Sequence, residues 1–319
     1  MKSSSIKIRH NTPVMTVGSC FADSIGKRFS NNKFIISANP FGTLFNPVSI
    51  HNVLRYVLHN ELPQPSTYLE NQGIWSNYEF HSSLSEENKS VLEKKITNII
   101  GTTHHFLKET DTLIITYGTA KVYTLTNTGE AVANCHKMPA GNFTSCILSP
   151  EQIAESFNIL FEELRRWKPG LRIILTISPV RHIKDTLEMN SLSKSALRWA
   201  CHAITEHCPG VEYFPAYEMM MDDLRDYRFY DEDMIHPSSV AIDYIWGKFS
   251  DTYFDLPTKS LMKQWQEVLT ALQHRPFHPK SMVHKTFLNE TLRKLEELKP
   301  LIPVEEEIAH IQSQLHKTA

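Results

Sequence analysis

The chain has 319 residues, with 33 lysine and arginine residues against 35 aspartate and glutamate residues, and therefore a formal net charge of −2. Hydrophobic residues make up 41% and charged residues 21%, which is the composition of a globular protein that can bury a sizeable core. The near-neutral charge removes the electrostatic basis for binding nucleic acid or an anionic membrane, so we expect neither partner.

Cysteine usage and the first residues of the chain indicate a reducing compartment. Five cysteines are an odd number without CxxC spacing, which argues against a disulfide framework and a zinc ribbon. No apolar run follows the polar and basic residues 1–10, so we expect no signal peptide. The strongest apolar runs, at 113–117 and 173–177, are too short to span a bilayer. These features predict a cytoplasmic protein without a membrane span.

Short apolar runs alternate with helical patterns along most of the chain. The apolar runs predict strands at 14–17, 34–37, 111–117, 171–177 and 211–214. Helical spacing predicts helices at 22–29, 47–60, 85–100, 150–167, 191–207 and 238–253. Residues 61–85 are polar and turn-rich, which predicts a long loop, and residues 121–146 contain the turn cluster of a hairpin. This alternation predicts an α/β protein with a parallel sheet covered on both faces.

The pattern changes after residue 256, where amphipathic stretches at 286–298 and 304–315 follow one another without strands. We therefore expect one domain over residues 1–255, with residues 61–85 as a loop insertion, and a helical C-terminal extension over residues 256–319. The extension could pack on the core, or it could mediate self-association or bind a partner.

Polar or small residues follow the predicted strands, at the edge where open α/β sheets collect functional groups. Ser19 follows the first strand and precedes a helix, where backbone N–H groups point toward the serine hydroxyl. A serine becomes nucleophilic only with a general base in reach. Asp233 and His236 are three residues apart in one predicted loop, so the carboxylate could orient the imidazole. Taken singly, Ser19 also fits a helix cap, and Asp233 an acidic loop with a capping carboxylate.

The run VGSCFA at residues 17–22 resembles the signature that names the GSCFA-domain family of bacterial proteins. Further matches are spread over residues 14–250, at 39–42, 117–120, 132–137, 178–182, 213–218, 226–230 and 233–237. That family is similar to the SGNH, or GDSL-like, hydrolases. The resemblance implies a three-layer αβα sandwich with a central parallel sheet and a Ser-His-Asp catalytic apparatus.

The resemblance also assigns roles to matching positions. Ser19 corresponds to the nucleophile of the first block, and Asp233 and His236 correspond to the DxxH of the last block. Gly42 corresponds to the oxyanion glycine of the second block, and Gly118 to the glycine of the third.

The third block departs from the family pattern. SGNH enzymes usually have GxND here, whereas this chain has Ala120 where the oxyanion asparagine is expected. Asn134 or Asn46 could supply the missing amide. We prefer Asn134 because it lies in the family-like segment 132–137, although it also fits an ordinary hairpin turn. The loss of one oxyanion donor typically costs about 3–4 kcal/mol of transition-state stabilisation, so the departure disfavours a fast general esterase.

Further candidates for substrate binding come from the same family-like segments. Arg181 and His182 follow a predicted strand end and could bind a polar or anionic substrate group, or form a salt bridge with a nearby carboxylate instead. His81 lies in the 61–85 segment, which we expect to act as a lid. The remaining candidates are His136 and Asn46.

The combined hypothesis is a serine-dependent acyl-ester hydrolase or O-acyltransferase of SGNH type, acting on a carbohydrate-linked acyl ester that the family resemblance suggests. Cys20 is an alternative nucleophile, since a thiol at a helix N-terminus can be reactive. A metal-dependent hydrolase is another alternative, but no HxH, HxxxH or HExxH spacing occurs, so we predict no metal and no cofactor. A third alternative is an inactive fold that binds a glycan or a protein.

Overall fold

A computed structural model of the chain describes residues 3–317, which form two compact units. Residues 13–28 and 36–249 form an α/β unit, and residues 3–12, 29–35 and 250–317 form a helical unit. None of the helices in the described chain combines the length and apolar character needed to cross a bilayer. That residues 1–255 and 256–319 are separate domains stays a prediction.

The described strands are β1 (Val14–Gly18), β2 (Ile36–Ala38), β3 (Tyr68–Asn71), β4 (Ile74–Asn77), β5 (Thr112–Tyr117), β6 (Lys121–Leu125), β7 (Ala131–Val132), β8 (Phe143–Ile147), β9 (Arg172–Ile177) and β10 (Val211–Phe214). The helices are α1 (Cys20–Asn31), α2 (Pro47–His59), α3 (Lys89–Glu109), α4 (Pro150–Trp167), α5 (Leu187–His207), α6 (Ala216–Met221), α7 (Ser239–Tyr253), α8 (Leu256–Gln273), α9 (Met282–Leu298) and α10 (Glu305–Lys317).

Five parallel strands form the central sheet in the order β10-β9-β5-β1-β2. The three central strands, β9, β5 and β1, have largely apolar sequences buried on both faces, which is typical of a parallel sheet between helical layers. The predicted α/β fold with a central parallel sheet is therefore confirmed. Two antiparallel sheets accompany it, the hairpin β3-β4 and the three-stranded sheet β7-β6-β8.

Alternate residues of the central strands face different helical layers. Met15 on β1 and Leu113 on β5 belong to an apolar cluster that includes residues of α2, α3, α4 and α5. Thr16, which points to the opposite face, donates a hydrogen bond to the carbonyl of Ala22 on α1 at 3.3 Å. Helix α1 is joined to α7 by a salt bridge between Arg28 and Asp243. The sheet is therefore the middle layer of three.

Residues 61–85 differ from the predicted long loop, because they contain the hairpin β3-β4. Its two-residue turn, Gln72 and Gly73, has φ angles of 54° and 79°. Positive φ at both turn residues matches the right-handed twist of paired strands, so this turn favours a hairpin. The prediction was wrong because the strands are only four residues long and one of them carries Glu70.

Two helical predictions also need correction. Helix α3 begins after Asn88, whose side chain accepts the N–H of Ser90, and not at Ser85. It continues past residue 100 because Thr103 and Leu107 extend its buried face. Helix α8 was not predicted, although Asp255 caps it and a proline occupies its first turn.

The helical unit has its own apolar core, centred on Trp265, Leu288 and Leu295. The indole N–H of Trp265 donates to the carbonyl of Asn31 at 2.7 Å. Lys33 lies over the same indole ring at 5.1 Å and forms a salt bridge with Glu307. These contacts tie residues 29–35 to the C-terminal helices of this unit.

Candidate active site

The strand order creates a crevice at the carboxyl ends of β1 and β5. The chain runs from β1 to β2 on one side and later enters β5 on the other side of β1. The connections that leave β1 and β5 therefore lead in opposite directions, and the crevice lies between these two strands. The register pairs Gly18 with Thr116. Ser19 and Gly118 therefore follow neighbouring strands at the same edge of the sheet.

The turn between β1 and α1 is fixed by the chain around Gly18. This glycine has a φ of 138°, and a side chain here would overlap the carbonyl oxygen of Thr116. The Asn39 side chain holds the same residue, since its Oδ1 accepts the Gly18 N–H at 2.9 Å and its Nδ2 donates to the Gly18 carbonyl at 3.2 Å. Asn39 also donates to Asp23 at 2.9 Å. Buried hydrogen bonds thus hold the turn that presents Ser19.

Ser19 lies at the start of α1 with 1% of its surface exposed. Its Oγ accepts the N–H of Phe21 at 3.4 Å, and its own N–H donates to the carbonyl of Thr116 at 3.1 Å. The hydroxyl thus forms one long hydrogen bond to the first turn of the helix.

Asp233 and His236 form a hydrogen-bonded pair in the loop before α7. His236 Nδ1 lies 2.6 Å from Asp233 Oδ2, while Asp233 Oδ1 accepts the backbone N–H groups of His236 and Ile235. These bonds from His236 and Ile235 lower the pKa of Asp233 to about 2. Within residues 3–317, His236 Nε2 has no hydrogen-bond partner, and Ser19 and His236 are not hydrogen-bonded to each other. Such a link is often absent before substrate binds.

Arg181 holds the loop that carries this pair. Its N–H donates to the carbonyl of Ile235 at 3.2 Å, and its guanidinium donates to the carbonyl of Met234 at 3.4 Å. The guanidinium also stacks over Tyr230, 4.1 Å from the ring centre. Since Arg181 follows β9, these contacts place the loop at the carboxyl edge of the sheet. A role in substrate binding stays a prediction.

His182 and Lys194 lie beside Gly118 at the same edge. A Cβ added to Gly118 would lie 3.2 Å from His182 Nε2. The Lys194 ammonium is buried and donates to the carbonyls of Gly118 and Ser178, at 2.7 and 2.6 Å. Burial lowers the pKa of His182 to about 4, with contributions from the charges of Lys194 and His236.

Four other predicted residues gather around a short helical turn at residues 82–84. His81 and Ser83 lie against Gly42, whose Cβ position is 2.8 Å from His81 Cβ. The Asn134 amide donates to Ser82 at 3.1 Å. His136, which is buried, lies 3.4 Å from Ser82 through Nδ1 and 2.8 Å from the carbonyl of Asn77 through Nε2. These contacts bring the 61–85 segment against Gly42, next to the β1-α1 turn.

Asn46 does not belong to this group, because its side chain caps a helix. Its side chain caps α2 by accepting the N–H of Ser49 at 2.9 Å and donating to the Ser49 hydroxyl at 3.0 Å. Both its polar groups are therefore used by the helix, and a role in substrate binding stays a prediction.

The predicted oxyanion donors already make hydrogen bonds. The Gly42 N–H donates to the carbonyl of Asn39 at 2.9 Å, and the Gly118 N–H donates to that of Phe45 at 2.8 Å. Asn134 donates to Ser82, as described above. The two glycine N–H groups would have to leave or share these bonds to contact a substrate, whereas the Asn134 amide has a second N–H. Ala120 is fully buried in the apolar cluster of the sheet, which explains why no polar side chain occupies that position.

Asn39 stands in the family-like segment 39–42 but was assigned no role from the sequence, and Lys194 was not identified as a candidate. A signal for Asn39 was present, because asparagine tolerates the left-handed conformation that this residue adopts with a φ of 46°. Lys194 offered no such signal, since a lysine in a helix ordinarily lies at the surface with its ammonium in water.

The side chains give little support to the two alternatives, a Cys20 nucleophile and a metal-dependent hydrolase. Burial raises the pKa of the Cys20 thiol, so less thiolate forms there. In the part of the chain that the structure describes, no three His, Cys, Asp or Glu side chains are grouped so as to hold a metal ion.

The fold and the site together define a doubly wound α/β protein whose carboxyl edge gathers a serine, an imidazole-carboxylate pair and a buried lysine. Comparison with protein families gives a closer assignment. The GSCFA family model matches residues 13–249, and the model described as GSCFA domain protein, C-terminal domain, matches residues 265–317. The chain therefore belongs to the GSCFA family. The search of curated proteins found no match.

Several solved structures show a weak similarity to the chain. A carbohydrate esterase family 3 protein from Talaromyces cellulolyticus is 9% identical, with 80% of this chain and 99% of that chain covered and a TM-score of 0.35. An acetyl esterase mutant with acetate ion is 11% identical, with coverage of 81% and 99% and a TM-score of 0.35. An acetyl xylan esterase from the rumen bacterium Butyrivibrio proteoclasticus is 10% identical, with coverage of 78% and 67% and a TM-score of 0.31. Similarities this weak establish neither a fold nor an activity for the chain.

Proposed function

We propose that this protein is a serine-dependent acyl-ester hydrolase or O-acyltransferase. The observation that carries the proposal is the Asp233-His236 pair, in which Nδ1 is bound at 2.6 Å and Nε2 has no hydrogen-bond partner within residues 3–317. An imidazole oriented in this way is suited to act as a general base. The pair lies at the sheet edge where Ser19 begins α1, and membership of the GSCFA family supports the same roles.

In the proposed reaction, Ser19 Oγ attacks the ester carbonyl while His236 Nε2 takes the hydroxyl proton. Asp233 remains ionised and stabilises the imidazolium that forms. The tetrahedral intermediate then collapses to an acyl-serine, and the departing alkoxide takes the proton from His236. Water or an acceptor hydroxyl loses a proton to His236 and attacks the acyl-serine. The acid or the new ester then forms as the bond to Ser19 Oγ breaks, and Ser19 takes the proton back from His236.

We propose a carbohydrate-linked acyl ester as the substrate. The resemblance to SGNH enzymes suggests this class, and the surface beside the Asp233-His236 loop suits it. A cavity of about 150 Å³ there is lined by residues that include Arg181, Tyr227 and Tyr230. Tyr227 is exposed, and an exposed aromatic ring beside a guanidinium can stack on a sugar and bind its hydroxyls.

The test compares Ser19→Ala with Cys20→Ala, the neighbouring position at the same helix start. Turnover is measured on p-nitrophenyl acetate and acetylated monosaccharides, and labelling by diethyl p-nitrophenyl phosphate is located by mass spectrometry. We expect Ser19 to carry the label, and Ser19→Ala to lose both labelling and turnover. Cys20→Ala should keep both. Equal labelling of Ser19→Ala and the wild type would refute the proposed nucleophile.

A glycan-binding protein without turnover is a second candidate. It is favoured by Ala120 at the expected oxyanion position and by the hydrogen bonds that the Gly42 and Gly118 N–H groups already make. Binding of acetylated sugars by calorimetry, with neither turnover nor labelling, would support this candidate in place of the first.

A further inference from the structure

His182 carries a buried polar atom that the described chain leaves unsatisfied. Its Nε2 is shielded from solvent and has no hydrogen-bond partner within residues 3–317. The opposite side of the residue is held, because its backbone N–H donates to the Asn190 side chain at 2.9 Å and its ring packs edge-on against Phe45. Folded proteins pair most buried polar atoms, so an unpaired one at a crevice points to an atom of a ligand.

This nitrogen lies beside the residue that follows β5, 3.2 Å from the Cβ position of Gly118. Ser19 follows the neighbouring strand β1 at the same edge of the sheet, because Gly18 pairs with Thr116. An ester attacked by Ser19 would therefore form its oxyanion at the sheet edge where His182 lies.

The charge state of His182 suits a hydrogen-bond donor. Burial, followed by the charge of Lys194, lowers the pKa of His182 to about 4, so the ring is neutral at pH 7 and carries one N–H. A neutral ring does not repel the imidazolium that forms on His236 during the reaction. A cationic ring in its place would oppose that step.

On the basis of the proposed acyl transfer, we propose that His182 donates its Nε2–H to the oxyanion and replaces the asparagine that the chain lacks at Ala120. His182 gives up no proton. Its N–H strengthens a hydrogen bond as the carbonyl oxygen becomes negative, and weakens it again when the carbonyl re-forms and the alkoxide leaves.

The experiment uses the full chain and two substitutions at this residue. His182→Phe keeps a ring against Phe45 but removes the donor, whereas His182→Gln keeps an amide N–H near the position of Nε2. On p-nitrophenyl acetate, we expect His182→Phe to lower kcat about 10²–10³-fold with little change in KM. His182→Gln should recover most of that loss. The rate of Ser19 labelling by diethyl p-nitrophenyl phosphate should follow kcat, because the phosphoryl oxygen occupies the same site.

The matched control is Thr112→Val, which removes another buried and unpaired side-chain atom at the opposite end of β5. This control should keep the wild-type kcat, and urea unfolding shows whether each variant folds. If Ser19 is labelled and His182→Phe matches the wild type, the role of His182 is wrong and the proposed function stands. Equal losses in the Phe and Gln variants would also overturn it. If wild-type Ser19 gives neither label nor turnover, both proposals fail.

Discussion

The β1-α1 turn and the Asp233-His236 loop both lie at the carboxyl edge of the sheet but are held in different ways. The turn is buried, and Asn39 binds both backbone groups of Gly18. The loop is half-exposed, with 42% of the His236 side chain accessible, and it is held by bonds within residues 231–236 and by Arg181. The comparison indicates a rigid support for the proposed nucleophile and a looser one for the proposed base, so damage to the turn should cost folding and damage to the loop should cost activity.

Asp233→Asn is expected to separate the loss of activity from the loss of stability most clearly. The amide can still bond to the imidazole but favours the wrong tautomer, so we expect kcat on p-nitrophenyl acetate to fall by about 10⁴-fold. Stability in urea should stay near that of the wild type, because Asp233 is exposed. Glu232→Gln, an exposed neighbour, is the control that should leave both properties unchanged. A large loss of stability in Asp233→Asn would show that the pair is structural.

Asn39→Ala should instead affect stability directly and activity as a consequence. The variant leaves the buried N–H and carbonyl of Gly18 without the side-chain partners that they have now, and we expect the free energy of unfolding to fall by about 1–3 kcal/mol. Activity should fall with it, because the same turn orients Ser19. Urea denaturation and kcat are measured together, with the exposed Asn98→Ala as control. Wild-type stability in Asn39→Ala would contradict the rigid description of the turn.

The pH dependence of stability gives the smallest and most selective effect. The pKa of His182 is lowered to about 4, so between about pH 6.5 and pH 4 the unfolded chain takes up a proton that the folded chain does not. Stability therefore falls with pH in this window, by at most about 1.4 kcal/mol per pH unit from this residue. His182→Phe should flatten the decline relative to the wild type.

Asp233 should act in a different window. Its pKa is lowered to about 2, so the stability that it contributes is complete above about pH 4 and is lost as the pH falls toward 2. Asp233→Asn should therefore lack the decline below about pH 4, and above pH 4 it should lack only the small contribution that this exposed carboxylate makes. Urea midpoints from pH 7 to pH 2 for the wild type and both variants distinguish the two groups, and identical curves for His182→Phe and the wild type would contradict the burial argument.

Much of the fold could be read from the sequence because a strong periodic or capping signal marks many of its elements. The run at 112–117 is mostly apolar and buried at every position, as expected of a strand covered on both faces. Ser149 and Gln152 form a capping box at the start of α4, and Pro150 fits the first turn. By contrast, the short strands β3 and β4 carry too few apolar residues to be distinguished from a loop.

The site was only partly predictable for a different reason. Ser19, Asp233 and His236 stand in family-like motifs, so the sequence identified them as candidates. The surroundings of Lys194 and His182 depend on burial, which arises only when α5 packs beside β5 and β9. No local pattern shows that the ammonium of Lys194 will lie between two carbonyls.

The crowding at Gly18 has a consequence for how the signature of this protein is interpreted. Residue 18 must be glycine because any side chain there would overlap the neighbouring strand. The serine after it, by contrast, is proposed to be the reactive residue. A library randomised at residue 18 and selected only for soluble expression should return glycine even when residue 19 is alanine. One letter of the motif would then report architecture and the next letter chemistry, and the two would be free to evolve apart.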